Sequence, residues 1–247
     1  MSYCLKDSTL SDCKLVEIYN NAKNLLNCNE YELDKIFEIA IIDRSRFPLI
    51  NSAKDEVSYL EHWIANYVNA KSNLPRNRVA KPKQACSDPA VSQLVKIVSN
   101  SDDELVKIQE RHHNLFMSAE NILGQLLEEY IAAKVSNYGW IWCAGNTLRA
   151  IDFCHLTIGY LQIKNKSNSE NSSSSNIREK TNIKKWYRLG TKKSNGQQIP
   201  VFKWEDLNKI INSDIPNYLE PCNMNEDDYR SFLINVAKQN PKIISDL

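Results

Sequence analysis

A mixed α/β fold, with a β-sheet flanked by helices and a helical region ahead of it, is what this sequence predicts. Three observations carry the prediction. Apolar residues recur at spacings of three and four over 12–71, a capped helix runs from about 101 to 135, and from Gly139 the pattern turns to period two. Long helix followed by strands is the middle of a mixed fold. At 247 residues, with 42% apolar and 25% charged residues, the chain can bury an ordinary globular core.

The first region reads as helices. Leu15, Ile18, Tyr19, Ala22, Leu25 and Leu26 form one stripe, Leu33, Ile36, Phe37, Ala40 and Ile41 a second, and Tyr59, Trp63, Tyr67 and Val68 a third. Over 72–89 the character changes. Pro75, Pro82 and Pro89 alternate with Lys71, Arg76, Arg78, Lys81 and Lys83, too many prolines for a regular element. A loop or linker is expected there, dividing a helical region 1–89 from a core 90–247. Its basic residues suit a polyanion and a solvated linker equally.

Ser101-Asp102-Asp103-Glu104 has the spacing of a capping box. It opens a helix with the stripe Leu105, Ile108, His112, Leu115, Ala119, Ile122, Leu126 and Tyr130, which makes His112 a core histidine. Gly139 supplies the permissive stop. Beyond it, Trp140-Ile141-Trp142-Cys143 is aromatic and β-branched, and Leu148 to Phe153 is apolar again. Over 160–164, Tyr160, Gln162 and Lys164 alternate with Leu161 and Ile163, as a strand requires. Residues 165–176 are almost entirely Ser and Asn. A helix is expected over Ile177–Arg188, a last strand over Val201–Trp204, and closing helices over Asp206–Asn212 and Glu226–Lys238. Trp140, Trp142, Trp186 and Tyr187 are expected in the core.

Composition excludes several functions. Charge nearly cancels, with 31 Lys+Arg against 30 Asp+Glu, so net charge names no partner. Only 6 Gly leave no Gly-rich nucleotide loop. Seven scattered cysteines never form Cys-x-x-Cys, and the four histidines make no His-Glu-x-x-His, so zinc chemistry is not expected. The thiols read as reduced, as in a cytoplasmic protein, and neither a signal-peptide core nor an apolar run of membrane length is apparent.

Candidate chemistry converges between residues 124 and 164. Asp152 follows the apolar Ala150-Ile151, and ten residues later Gln162 and Lys164 leave one face of the next strand. A hairpin of that length sets a carboxylate, an amide oxygen and an ammonium in one pocket. Hard oxygen donors of this kind hold Mg²⁺, which polarises a phosphoryl oxygen, while a lysine orients or deprotonates the water and offsets developing charge. Asp152 and the Ile163 backbone carbonyl are the expected metal donors. On the preceding helix, Glu128 lies ~100° round from Leu127 and is preferred over Glu129, which is expected nearer solvent.

These residues resemble the core of the PD-(D/E)XK nuclease superfamily: a helix Glu, a strand-end Asp, then x-x-Lys on the next strand. More narrowly, the run from Gly139 to Arg188 resembles type II restriction endonucleases of the SinI type. It does so through Gly139-Trp140-Ile141-Trp142-Cys143-Ala144-Gly145, Ile151-Asp152-Phe153, Leu161-Gln162-Ile163-Lys164-Asn165, the serine run after Glu170, and Arg178 with Lys184-Lys185-Trp186-Tyr187-Arg188. The resemblance implies a restriction-endonuclease-like core, Mg²⁺-dependent cleavage of double-stranded DNA at a short palindrome or near-palindrome, and a GG…CC-framed site with a central A·T pair. It also implies a cognate methyltransferase in the same system, without a stable complex. Two departures stand out: Ile151 occupies the superfamily's proline position, and Gln162 replaces an acidic ligand, bringing one oxygen and no charge.

Local charge agrees with a DNA partner. Residues 161–193 hold nine basic side chains against Glu170 and Glu179. Lys166, Lys184, Lys185 and Arg188 are expected on phosphates, and Arg178 on a guanine edge. Asn168, Asn171, Ser172, Ser173, Ser174, Ser175 and Asn176 supply short polar contacts. A symmetric target asks for two symmetric readers, hence a homodimer. The competing expectation is a DNA-binding protein whose nuclease fold has lost activity. It would keep the basic segment without needing Asp152 beside Lys164.

Overall fold

The computed structural model describes residues 2–80, 88–166 and 182–244. Helices α1 (Asp12–Leu25), α2 (Tyr31–Ile42) and α3 (Glu56–Ser72) open the chain, followed by α4 (Pro89–Ser99) and the 33-residue α5 (Asp103–Val135). Strands β1 (Ile141–Trp142), β2 (Phe153–His155), β3 (Gly159–Lys166), β4 (Ile183–Ser194) and β5 (Gln197–Phe202) come next. Helices α6 (Trp204–Ile211) and α7 (Glu226–Gln239) close it. Among the described residues the strands form one sheet in the order β1-β2-β3-β4-β5. β1, β2 and β3 pair antiparallel, β3 and β4 parallel, β4 and β5 antiparallel. A mixed sheet with helices around it is the expected class.

The basic-aromatic segment corrects the expectation: Ile183–Arg188 is strand, not helix. Ile183, Trp186 and Tyr187 fit a helical spacing by themselves, but β3 supplies a parallel partner that local spacing cannot reveal. Ile163 faces Trp186 and Lys164 faces Tyr187 in the register.

Two helix-level expectations also change. Asp102, not Ser101, caps α5, its side chain accepting from the Leu105 N–H. The first half of α5 projects from the body, so Leu105, Ile108 and His112 are exposed rather than core. The second half carries Ile122, Leu126, Leu127, Tyr130 and Ile131 inward.

One continuous core joins the two ends of the chain. Tyr19, Phe37, Phe47, Tyr59 and Trp63 interleave their rings at centroid separations of 3.9–6.1 Å. The same cluster takes in Tyr130, Trp140, Trp142, Phe153, Leu161, Ile163 and Trp186. The three tryptophans expected in the core are buried, and Tyr187 is half-buried. Trp63 donates to the Thr147 carbonyl at 2.8 Å, tying α3 to the turn before β2. Gly145 makes that approach possible. Its φ is +71°, and a Cβ there would lie 2.5 Å from the Asn66 carbonyl oxygen.

Candidate active site

Asp152 sits one residue before β2, and its backbone is held from both sides. Its N–H donates to Leu161 at 3.0 Å, and its carbonyl accepts from Cys143 at 2.9 Å. The turn leading to it includes Ala150 at φ +60°, a left-handed conformation that a non-glycine residue adopts at a cost of ~1 kcal/mol. With its backbone fixed, Asp152 turns its carboxylate onto β3, where Oδ2 accepts from the Ile163 N–H at 2.6 Å. In an extended strand the N–H and C=O of one residue point to the same neighbour, so the Ile163 carbonyl faces that side too.

Leu161, Gln162 and Ile163 are consecutive and all buried, so both faces of β3 are covered there. Gln162 therefore does not stand on a solvated strand face. Lys164, on the same side two residues on, is half-buried and reaches a cleft of about 320 Å³. Glu120, Gln125 and Glu128 line that cleft from α5, and Asn165 and Lys166 from β3.

Glu128 is the α5 carboxylate that faces the site. Burial, and after it the Asp152 carboxylate, pushes its pKa up to about 8. A hydrogen bond from Trp142 Nε1 at 3.4 Å and the charges of Lys164 and Arg78 pull the other way. Two carboxylates thus share a desolvated site with an ammonium. Among the described residues no three His, Cys, Asp or Glu side chains come together as metal ligands. The oxygens that the structure relates to one another are the Asp152 and Glu128 carboxylates, with Asp152 held at the Ile163 backbone. Oxygen donors alone suit a hard divalent cation such as Mg²⁺, and the charge crowding between Asp152 and Glu128 is what such a cation would relieve.

Glu129 is a correction. It is not nearer solvent but almost fully buried, accepting from the Arg76 backbone N–H at 2.9 Å and from the Arg76 guanidinium. The Pro75–Asn77 turn docks against that side of α5, a contact 53 residues away in sequence.

The expected DNA contacts separate in space. Lys166 lies beside the cleft and pairs with Glu120 at 2.5 Å. Lys184 and Lys185 are exposed on β4, where strand alternation sends them to opposite faces. Lys185 stands opposite Gln162 in the register and so shares the face of Lys164; Lys184 stands opposite Leu161. Arg188 is no surface contact. It is buried, with Nη1 at 2.7 and 2.8 Å from the two oxygens of Glu226, and Nε donating to Asn165 at 2.8 Å. Arg178, Asn168, Asn171, Ser172, Ser173, Ser174, Ser175 and Asn176 lie outside the described residues. Local sequence reading passed over Trp142 as a clamp on Glu128, and Arg78, which donates to Gln125 at 2.8 Å one helical turn before Glu128. The tryptophan's apolar surroundings pointed only to a core position.

Oxygen donors from a helix and a β-hairpin, with an amine beside them at the rim of a mixed sheet, are the parts of a metal-assisted phosphodiester hydrolase. Comparison with known proteins gives the family. Residues 22–221 match the family model of the SinI restriction endonuclease. The chain is 34% identical over 227 residues to the type II restriction enzyme Eco47I of Escherichia coli, covering 87% of this chain and 91% of that enzyme. It is 32% identical over 226 residues to the type II restriction enzyme SinI of Salmonella infantis, covering 86% and 90%. This chain belongs to the SinI restriction endonuclease family.

Proposed function

We propose that the chain is a Mg²⁺-dependent type II restriction endonuclease that cuts both strands of DNA at a short, near-palindromic site. The reading extends to a GG…CC frame with a central A·T pair, a homodimer as the working form, and the cytoplasm as its place of action. One observation carries the catalytic part: Asp152 is bonded to the Ile163 backbone, within electrostatic reach of Glu128, and Glu128 and Lys164 both line the adjoining cleft.

In this reading Asp152, Glu128, the Gln162 amide oxygen and the Ile163 carbonyl would hold the ion. Bound there, Mg²⁺ supplies Lewis-acid polarisation of a phosphoryl oxygen and a water of lowered pKa. The Ile163 N–H fixes the Asp152 carboxylate through Oδ2. Glu128, its pKa raised to about 8 by burial and by Asp152, carries a proton near neutral pH that it would yield to a bound cation. Lys164 orients water at the scissile phosphate and balances the charge that grows on the phosphoryl oxygens. Gln162, buried and uncharged, leaves the site one negative charge short of two strand carboxylates. That gives Glu128 more of the work of holding the ion.

Incubation of purified protein with plasmid DNA and Mg²⁺ tests the reading. Discrete fragments with one common end sequence are the expected result. Sequence-specific retention on a gel with no cleavage at any Mg²⁺ concentration would instead favour a binder with an inactive nuclease fold.

A further inference from the structure

The catalytic cleft continues across α5. Glu120, Asn121, Gly124, Gln125 and Glu128 line it from residues three and four apart, so they form one face of that helix. Asn121 and Gln125 also line a second, smaller cavity of about 170 Å³, whose other wall carries Arg78. Because the two hollows share these residues, they are sections of one trough over the helix. Lys164 and Lys166 stand on its β3 side and Arg78 on the other. Between them lies Gly124. A Cβ at this position would find no atom of the described residues within 4 Å beyond its own stretch of helix. Glycine inside a helix is destabilising relative to alanine, and packing among the described residues does not require it here. It suits a helix over which another backbone must pass closely.

Arg78 reaches the trough from a braced loop. Asn240 Nδ2 donates to the Arg76 and Arg78 carbonyls at 3.0 and 2.9 Å, and the Ala80 N–H donates to the Ile243 carbonyl at 2.8 Å. The guanidinium is aimed as well: Nε donates to the Asn73 carbonyl at 2.9 Å and Nη1 to Gln125 Oε1 at 2.8 Å. Both acceptors are neutral, whereas neighbouring Arg76 is paired with the Glu129 carboxylate. Arg78 and Lys164 are also the two cations whose charge reaches Glu128, which sets both about the same carboxylate.

We propose that this trough seats the sugar–phosphate backbone of the strand being cut, with Gly124 as its floor and Arg78 as the positioning residue for a phosphate beside the scissile one. The inference deepens the nuclease reading above and rests on it. A guanidinium already held on two sides loses little further freedom when its remaining donors meet phosphate oxygens. Such a contact fixes where the strand lies and carries no sequence information, so its loss weakens all duplexes alike.

Binding of the full-length chain to a labelled plasmid fragment in Ca²⁺, followed across a range of salt concentrations, is the test, because it reads the trough whether or not the protein cuts. Gly124→Ala and Gly124→Leu should both raise the urea midpoint, since each is a better helix former than glycine. DNA affinity should fall at the same time, by about tenfold or more for leucine, whose side chain fills the floor. A glycine that is merely tolerated would give the gain in stability with no loss of affinity. Arg78→Ala should flatten the slope of log affinity against log salt by ~1, and Arg78→Lys should restore it. Wild-type affinity in Gly124→Leu, or an unchanged slope in Arg78→Ala, would overturn the trough. A wild type that binds, responds to these substitutions and leaves plasmid uncut in Mg²⁺ would count against the catalytic reading alone. A wild type that retains no DNA would overturn both.

Discussion

The Ile163 backbone N–H donates to Asp152 Oδ2 at 2.6 Å, so the carboxylate that begins one strand is locked to the backbone of the next. Asparagine can keep that hydrogen bond through its own oxygen while losing the charge. Asp152→Asn therefore separates geometry from electrostatics. Its stability is expected to stay within ~1 kcal/mol of wild type, and its cleavage rate to fall by at least ~10²-fold. Single-turnover cleavage in Mg²⁺, set beside DNA binding supported by Ca²⁺, makes the measurement. Binding should survive, and a mutant cutting near the wild-type rate would remove Asp152 from the site.

Glu128 gives the site a pH signature. Its folded pKa of about 8 lies above the ordinary carboxylate value, so the folded chain binds more protons than the unfolded chain in between. The sign follows: without metal, this group's contribution makes stability fall as pH rises from about 4.5 towards about 8. Glu128→Gln removes the titration and should flatten that fall. Urea midpoints in EDTA at several pH values, wild type against variant, would show it, and parallel curves would contradict it. A divalent cation takes the proton's place, so added Mg²⁺ should stabilise the wild type most at the alkaline end of the window.

Neighbouring lysines on a strand do not share a face. Lys185 lies on the Gln162–Lys164 side of the sheet and Lys184 on the Leu161 side. If DNA lies along the face that carries Lys164, Lys185→Ala should flatten the slope of log affinity against log salt by ~1, and Lys184→Ala should leave it unchanged. Equal effects from both variants would mean that the backbone passes around the sheet edge rather than across that face.

What could be read from the sequence was what local spacing determines. The stop at Gly139, the alternation across Gln162 and Lys164, and the ten-residue separation from Asp152 all describe one hairpin, and a hairpin is a local object. Apart from the one-residue shift of the α5 cap, the misreadings involve partners distant in sequence. Trp186 and Tyr187 fit a helix until β3 pairs with them in parallel. Glu129 looked exposed because the helical wheel of α5 does not contain Arg76, which buries it. The exposed stripe of Leu105 and Ile108 resembled core for the opposite reason: amphipathic spacing shows that a face wants a partner, not which chain provides it.

Arg188 shows the same limit in energetic form, because a basic residue in a basic segment looked like a phosphate contact. It lies buried between Glu226 and Asn165, with its guanidinium 5.2 Å from the Tyr229 ring centroid and 5.5 Å from that of Phe202. Truncation at Arg188 leaves the largely buried Glu226 carboxylate to Trp204 Nε1 at 2.9 Å and the exposed Arg230 at 3.2 Å, so the cost lies at or below the about 3–5 kcal/mol of breaking a buried pair from one side. Arg188→Ala should therefore lower the urea midpoint sharply. Arg188→Met with Glu226→Gln should recover much of the loss, since the volume is kept and no lone charge remains. In whatever fraction of Arg188→Ala stays folded, the salt slope for DNA should equal that of the wild type. A stable variant with a flattened slope would put the guanidinium on the phosphates after all.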